Sequence, residues 1–141
     1  MNDVAGIGTG MEELLQEFIL EASDLLADVD SRLMDLEKNP DDKNILNMIF
    51  LMFHTIKGGV GFLFDIAPDL ARVCCLTENI FIKLRNDELH FNSSQLEVIL
   101  AATGEVHLML DDLGRGVQPQ RASQTALDAL EAVLQGEYQY E

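Results

Sequence analysis

The chain has 141 residues, 48% of them hydrophobic, with 25 acidic against 9 basic residues and a net charge of −16. That length corresponds to one domain able to bury a core without disulfides or metals, and the apolar content excludes a largely disordered chain. So acidic a surface repels phosphate backbones and anionic lipid, which argues against nucleic-acid and membrane partners.

Residues 1–10 include three glycines and read as a flexible N-terminal lead. No basic segment precedes an apolar one, so a signal peptide is not expected. From about residue 11 to 38, Leu14, Leu15, Phe18, Ala22, Leu25, Leu26, Val29, Leu33 and Leu36 recur at steps of three and four. That is the pattern of an amphipathic helix. Asn39-Pro40-Asp41-Asp42 then reads as a restart, with Asn39 as N-cap and Pro40 in the first turn of a second helix over about 40–60. On a wheel of about 100° per residue, Ile45, Ile49, Met52, Ile56 and Val60 form its core face, and Asn47, His54, Gly58 and Gly61 face away. The run from Ile45 to Phe53 is too short to span a bilayer.

A short irregular link leads to Pro68 and a third helix over about 68–86, with Leu70, Val73, Cys74, Thr77, Ile80, Phe81 and Leu84 inward. Asn86-Asp87 stops it. The adjacent Cys74 and Cys75 do not face each other on a helix, so they read as buried thiols of a reducing compartment. A fourth helix runs over about 93–113, with Ser94 and Glu97 at capping-box spacing. A fifth runs over about 123–135 with Gly136 as its stop, and residues 137–141 are a tail. With no strand pattern, the sequence predicts an all-α domain over 11–136. Its architecture is an antiparallel up-down four-helix bundle with an additional C-terminal fifth helix.

The stretch His54-Thr-Ile-Lys-Gly-Gly-Val-Gly61 carries the chemistry. Lys57 lies three residues after the imidazole, and Gly58 and Gly61 four and seven residues after, all on one side of the helix. Helical glycines are costly. Here they leave bare backbone along which a flat partner can bring a reactive group to the ring. The pattern suits phosphoryl transfer through histidine. A neutral imidazole is the nucleophile, an acceptor on its other nitrogen would fix the tautomer, and Lys57 would offset charge on the incoming phosphoryl group. Phe50 and Leu51 flank His54 on the outer face and, with Asn47, form a candidate docking patch. His90 and His107 read as structural or solvated, and no set of three or four convergent ligands points to a metal.

His54 to Gly61 resembles the phosphohistidine motif of histidine phosphotransfer (HPt) domains, most closely the N-terminal domain of CheA-type chemotaxis histidine kinases. Phe18 to Asp28 is similar to that family's first helix, and Thr77-Glu78-Asn79-Ile80 through Arg85 to its third. The resemblance covers roughly residues 11–135. It implies that His54 is phosphorylated on Nε2, that Glu78 accepts a hydrogen bond from Nδ1–H, and that Lys57 assists. It further implies a monomeric cytoplasmic relay without an ATP site or cofactor of its own. A separate ATP-binding kinase domain would supply the phosphoryl group, and an aspartate on a response-regulator receiver domain would take it. Two features depart from the family. Cys75 stands where a histidine is common, three residues before the glutamate, and the link after Gly61 is about two residues longer. The alternative is a phosphorylation-deficient HPt-like bundle that acts only as a docking module.

Overall fold

The computed structural model describes residues 9–61 and 66–137. The described residues form helices α1 (Thr9–Lys38), α2 (Lys43–Val60), α3 (Pro68–Arg85), α4 (Ser93–Gly114) and α5 (Gln124–Leu134), with no strand among them. Helix α1 packs against α2 and α4, α2 against α3, and α3 against α4, closing a four-helix bundle. Helix α5 lies on α3 and α4. None of these helices is long and apolar enough to cross a membrane.

The ends of the helices explain several departures from the sequence expectations. Helix α1 is already helical at Thr9, inside the stretch read as a lead. The second helix starts at Lys43, not at Pro40, because Asn39 belongs to the first: its backbone N–H donates to the Asp35 and Leu36 carbonyls. Asp42 is the N-cap of α2, and its carboxylate accepts from the Asn44 and Ile45 amides at 2.9 and 3.2 Å. The capping box of α4 is formed by Asn92 and Gln95, not by Ser94 and Glu97. Gln95 N–H donates to Asn92 Oδ1 at 2.9 Å, and Asn92 N–H to Gln95 Oε1 at 3.2 Å. Helix α5 ends in a Schellman arrangement, with Gly136 at φ 83°, Gly136 N–H on the Val133 carbonyl and Glu137 N–H on that of Ala132. The link at 62–65, the lead at 1–8, the tail at 138–141 and the Val60 side chain lie outside the described residues.

The core is continuous through Leu26, Val29, Leu33, Ile49, Phe53, Leu70, Ile80, Phe81, Ile99, Val106 and Leu130. Leu14, expected inside, is exposed. The core face of α2 is also rotated from the expected one. Leu46, Ile49, Phe53 and Ile56 are buried, whereas Ile45 and Met52 are only half-buried at its α1 edge. The cause is that α2 packs on α3 as well as α1, which turns its apolar centre toward the space between them. Phe53 of α2 stacks on Phe81 of α3, with centroids 6.1 Å apart and planes at 16°. Each ring sits beside a residue of the polar seam above it: Phe53 precedes His54, and Phe81 follows Glu78 by three.

Candidate functional site

A line of residues on α2, spaced by four, three, four and three, faces α3: Lys43, Asn47, Phe50, His54 and Lys57. Each meets a partner there. The Lys43 ammonium donates to the Arg85 carbonyl at 2.9 Å and also pairs with Asp87. Asn47 Oδ1 accepts from Arg85 Nη1–H at 3.2 Å. The Arg85 guanidinium lies over the Phe50 ring, 4.3 Å from its centroid. Phe50 in turn stacks on the His54 imidazole, with centroids 5.8 Å apart and planes at 23°.

The seam ends at one acid. Glu78 is 3% exposed and receives His54 Nδ1 at 2.5 Å on Oε2 and the Lys57 ammonium on Oε1. Burial pushes the Glu78 carboxyl up, but the hydrogen bonds from Lys57 and His54, with the lysine's charge, together outweigh it and hold the group below the ordinary glutamate range. The Glu78 hydrogen bond also raises Lys57 above the usual ammonium value. An ionised carboxylate can only accept, so Nδ1 of His54 carries the proton. In the neutral ring Nε2 then holds the free lone pair. The side chain of His54 is 61% exposed, so its Nε2 edge points outward while the acid bound at Nδ1 is inside.

The glycines divide by surroundings. A Cβ built on Gly58 or Gly61 meets nothing within 4 Å, so both leave open space beside His54. A Cβ on Gly59 comes within 2.6 Å of the Phe18 ring, so Gly59 is where α1 packs closely on α2. Leu51 projects into solvent, whereas Asn47 and Phe50 are half-buried and engaged by Arg85. Cys75 is exposed, contrary to the expectation of two buried thiols, because it lies on the α3 edge beside Lys57. The Asn79 side-chain amide donates to Cys75 Sγ at 4.0 Å. Cys74 is buried, and burial pushes its thiol up to about 12.

The structure thus brings His54, Lys57 and Glu78 into one hydrogen-bonded group, with Gly58 and Gly61 open beside it. Arg85 was missed by the sequence reading. A signal existed: Arg85 follows Glu78 by seven residues, so both lie on one line of α3.

The Hpt domain family model matches residues 13–116. The chain is 32% identical over 114 residues to the chemotaxis protein CheA of Salmonella typhimurium, covering 80% of this chain and 16% of that protein. It is also 32% identical over 93 residues to the sensor histidine kinase CheAY of Helicobacter pylori, covering 64% of this chain and 11% of that one. The chain therefore spans a small fraction of the length of these curated relatives. Among solved structures, the CheA phosphotransferase domain from Thermotoga maritima is similar with a TM-score of 0.68 and 33% identity, covering 73% of this chain and 96% of that one. A solution structure of the histidine phosphotransfer domain of CheA is similar with a TM-score of 0.76 and 30% identity, covering 90% of this chain and 92% of that one.

Proposed function

We propose that this chain, which belongs to the Hpt domain family and is similar to the phosphotransfer domain of CheA, relays a phosphoryl group through His54. The observation that carries the assignment to His54 is the bond from its Nδ1 to the buried, ionised Glu78, which leaves Nε2 as the outward nucleophile. The relay unit is residues 11–136.

In the first half-reaction Nε2 attacks the γ-phosphorus of ATP held by a separate kinase domain. The Nε2–P bond forms as the bond to the bridging oxygen breaks, and its electron pair leaves with ADP. The ring keeps its Nδ1 proton, and Glu78 stabilises the positive charge that develops on it. Lys57 pairs with the other oxygen of Glu78 and follows His54 by three residues on the same side of α2, so its ammonium offsets the charge on the transferring phosphoryl oxygens. In the second half-reaction a receiver aspartate attacks phosphorus, the N–P bond breaks, and the neutral imidazole returns. Such catalysis is mostly positioning and electrostatics, and the domain supplies both without an ATP site of its own. The receiver's approach runs over Gly58 and Gly61 and past Leu51, with Asn47 and Phe50 at the rim. We place this exchange in the cytoplasm, with the domain as a monomer, where ATP-bound kinase domains and receivers meet.

The docking-only alternative rests on Cys75, whose thiol is a weak hydrogen-bond donor where the family often has an imidazole. The intact His54–Glu78–Lys57 group weighs against it. Incubation with an active cognate kinase domain and labelled ATP tests the proposal. An acid-labile, alkali-stable label is expected on the wild type and none on His54→Gln. No label on the wild type would leave the docking role.

A further inference from the structure

The Cβ–Cγ bond and the hydrogen bond from Nδ1 to Glu78 together set the mean plane of the His54 ring. One hydrogen bond at one edge is a soft restraint, and the imidazole still librates about χ2, and with it the direction of the Nε2 lone pair. A contact against the ring's face narrows that libration, and Phe50 supplies a flat face one turn before His54 on the same helix. Phe50 is itself held. The Arg85 guanidinium lies 4.3 Å from its centroid, anchored by Nη1–H on Asn47 Oδ1 at 3.2 Å, while the Arg85 carbonyl is fixed by Lys43 at 2.9 Å. The order runs from the end of α3 through Arg85 and Phe50 to the imidazole.

We propose that Phe50 and Arg85 are positioning residues for His54: the stacked Phe50 ring backs one face of the imidazole and narrows its swing about the plane that Glu78 sets, and Arg85 holds Phe50 in place. This rests on the phosphotransfer reading for its consequence, but the restraint itself is a property of the unphosphorylated protein. It differs from docking in one respect. A docking residue matters only when a protein partner is present, whereas a positioning residue matters for any donor.

Phosphoramidate serves as a donor without a protein surface. Its P–N bond breaks, releasing ammonia, as the Nε2–P bond forms. With phosphoramidate, Phe50→Leu, which keeps bulk but loses the flat face, is expected to label about three- to tenfold more slowly, the equilibrium cost of losing an aromatic pair. Phe50→Tyr restores the rate, and Arg85→Met slows it by about twofold. Carbon relaxation of the His54 ring in the unphosphorylated protein is expected to show lower order in Phe50→Leu and wild-type order in Phe50→Tyr. Helix content by circular dichroism is the control for folding.

Wild-type labelling and unchanged ring order in Phe50→Leu would overturn the proposal. A loss confined to the kinase-driven reaction would also overturn it, making Phe50 a docking contact. If the wild type takes no label from either donor, the phosphotransfer reading falls, and the ring order in Phe50→Leu still decides whether Phe50 restrains His54.

Discussion

Among the described residues, one histidine–carboxylate pair joins α2 to α3 and another joins α1 to α4. In the first, His54 Nδ1 meets Glu78 at 2.5 Å. In the second, His107 Nε2 meets Asp30 at 3.2 Å, and Thr103 Oγ1–H donates to the same acid at 3.4 Å. A bare glycine does not separate them. Gly104 stands one turn before His107 with nothing within 4 Å of an added Cβ, as at Gly58 and Gly61. Nor does the exposure of the histidine alone, at 61% for His54 and 38% for His107. The difference is in the acid. Glu78 is nearly sealed from water and shared with Lys57, whereas the Asp30 side chain is 42% exposed and pairs with no lysine among the described residues. A buried carboxylate keeps its hydrogen bond and its charge in a low-dielectric setting, where each counts for more. An exposed one exchanges its partner with water. A histidine beside an acid is common chemistry, and what sets the His54 pair apart is burial of the acid together with a second cation.

The largest way to test that contrast is to neutralise each acid. Glu78→Gln is expected to slow kinase-driven labelling of His54 by about 10- to 100-fold, since tautomer and charge stabilisation are both weakened. Asp30→Asn should label within about twofold of wild type. A comparable loss in both variants would erase the distinction. Glu78→Gln also has a signature in acid. The folded-state value of Glu78 lies below its unfolded one, so its stabilising contribution is complete above the unfolded value, about 4.3, and disappears as pH falls through the folded one. The melting-temperature gap between wild type and Glu78→Gln should therefore hold above the unfolded value and narrow as pH falls below it toward the folded one.

The glycines sharpen the comparison at the next level. Gly59→Ala must displace the Phe18 ring, 2.6 Å from the new Cβ, and is expected to cost about 1–3 kcal/mol in denaturant unfolding. Gly58→Ala and Gly104→Ala have open space and should each add about 0.5–1 kcal/mol from helix propensity. Of those two, only Gly58→Ala should slow transfer to a receiver domain, because only it lies on the approach to a nucleophile. Equal transfer rates for Gly58→Ala and wild type would mean that the bare strip beside His54 has no part in docking.

The smallest expected effect concerns Cys75. Cys75→His puts a stronger donor beside Lys57 at an exposed position, and kinase-driven labelling should rise by about two- to fivefold. No change would mean that the thiol already sits outside the electrostatic reach of the site.

Much of the bundle was legible in the sequence, because a helix turns spacing directly into geometry. Steps of three and four gave the buried line of α3, and the spacing of His54, Lys57, Gly58 and Gly61 placed them on one side of α2 with no knowledge of any other helix. Helix ends were less legible. Asn39 and Asp42 are both good caps, and which of them serves α2 depends on where α1 stops. The centre of the α2 core face was misjudged for a related reason: Leu46 and Phe53 are buried by α3, and a wheel drawn for one helix contains no information about its neighbours.

The sequence by itself determined five helical segments and an outward imidazole with a lysine and glycines alongside. The tertiary structure alone decided which acid that imidazole meets, how deeply the acid is buried, and that Arg85 reaches back over Phe50. The physical reason is that intrahelical neighbours follow from the 3.6-residue repeat. Partners across helices depend on rotation and crossing set by the whole core, here by the Phe53–Phe81 stack that lies beneath His54 and Glu78.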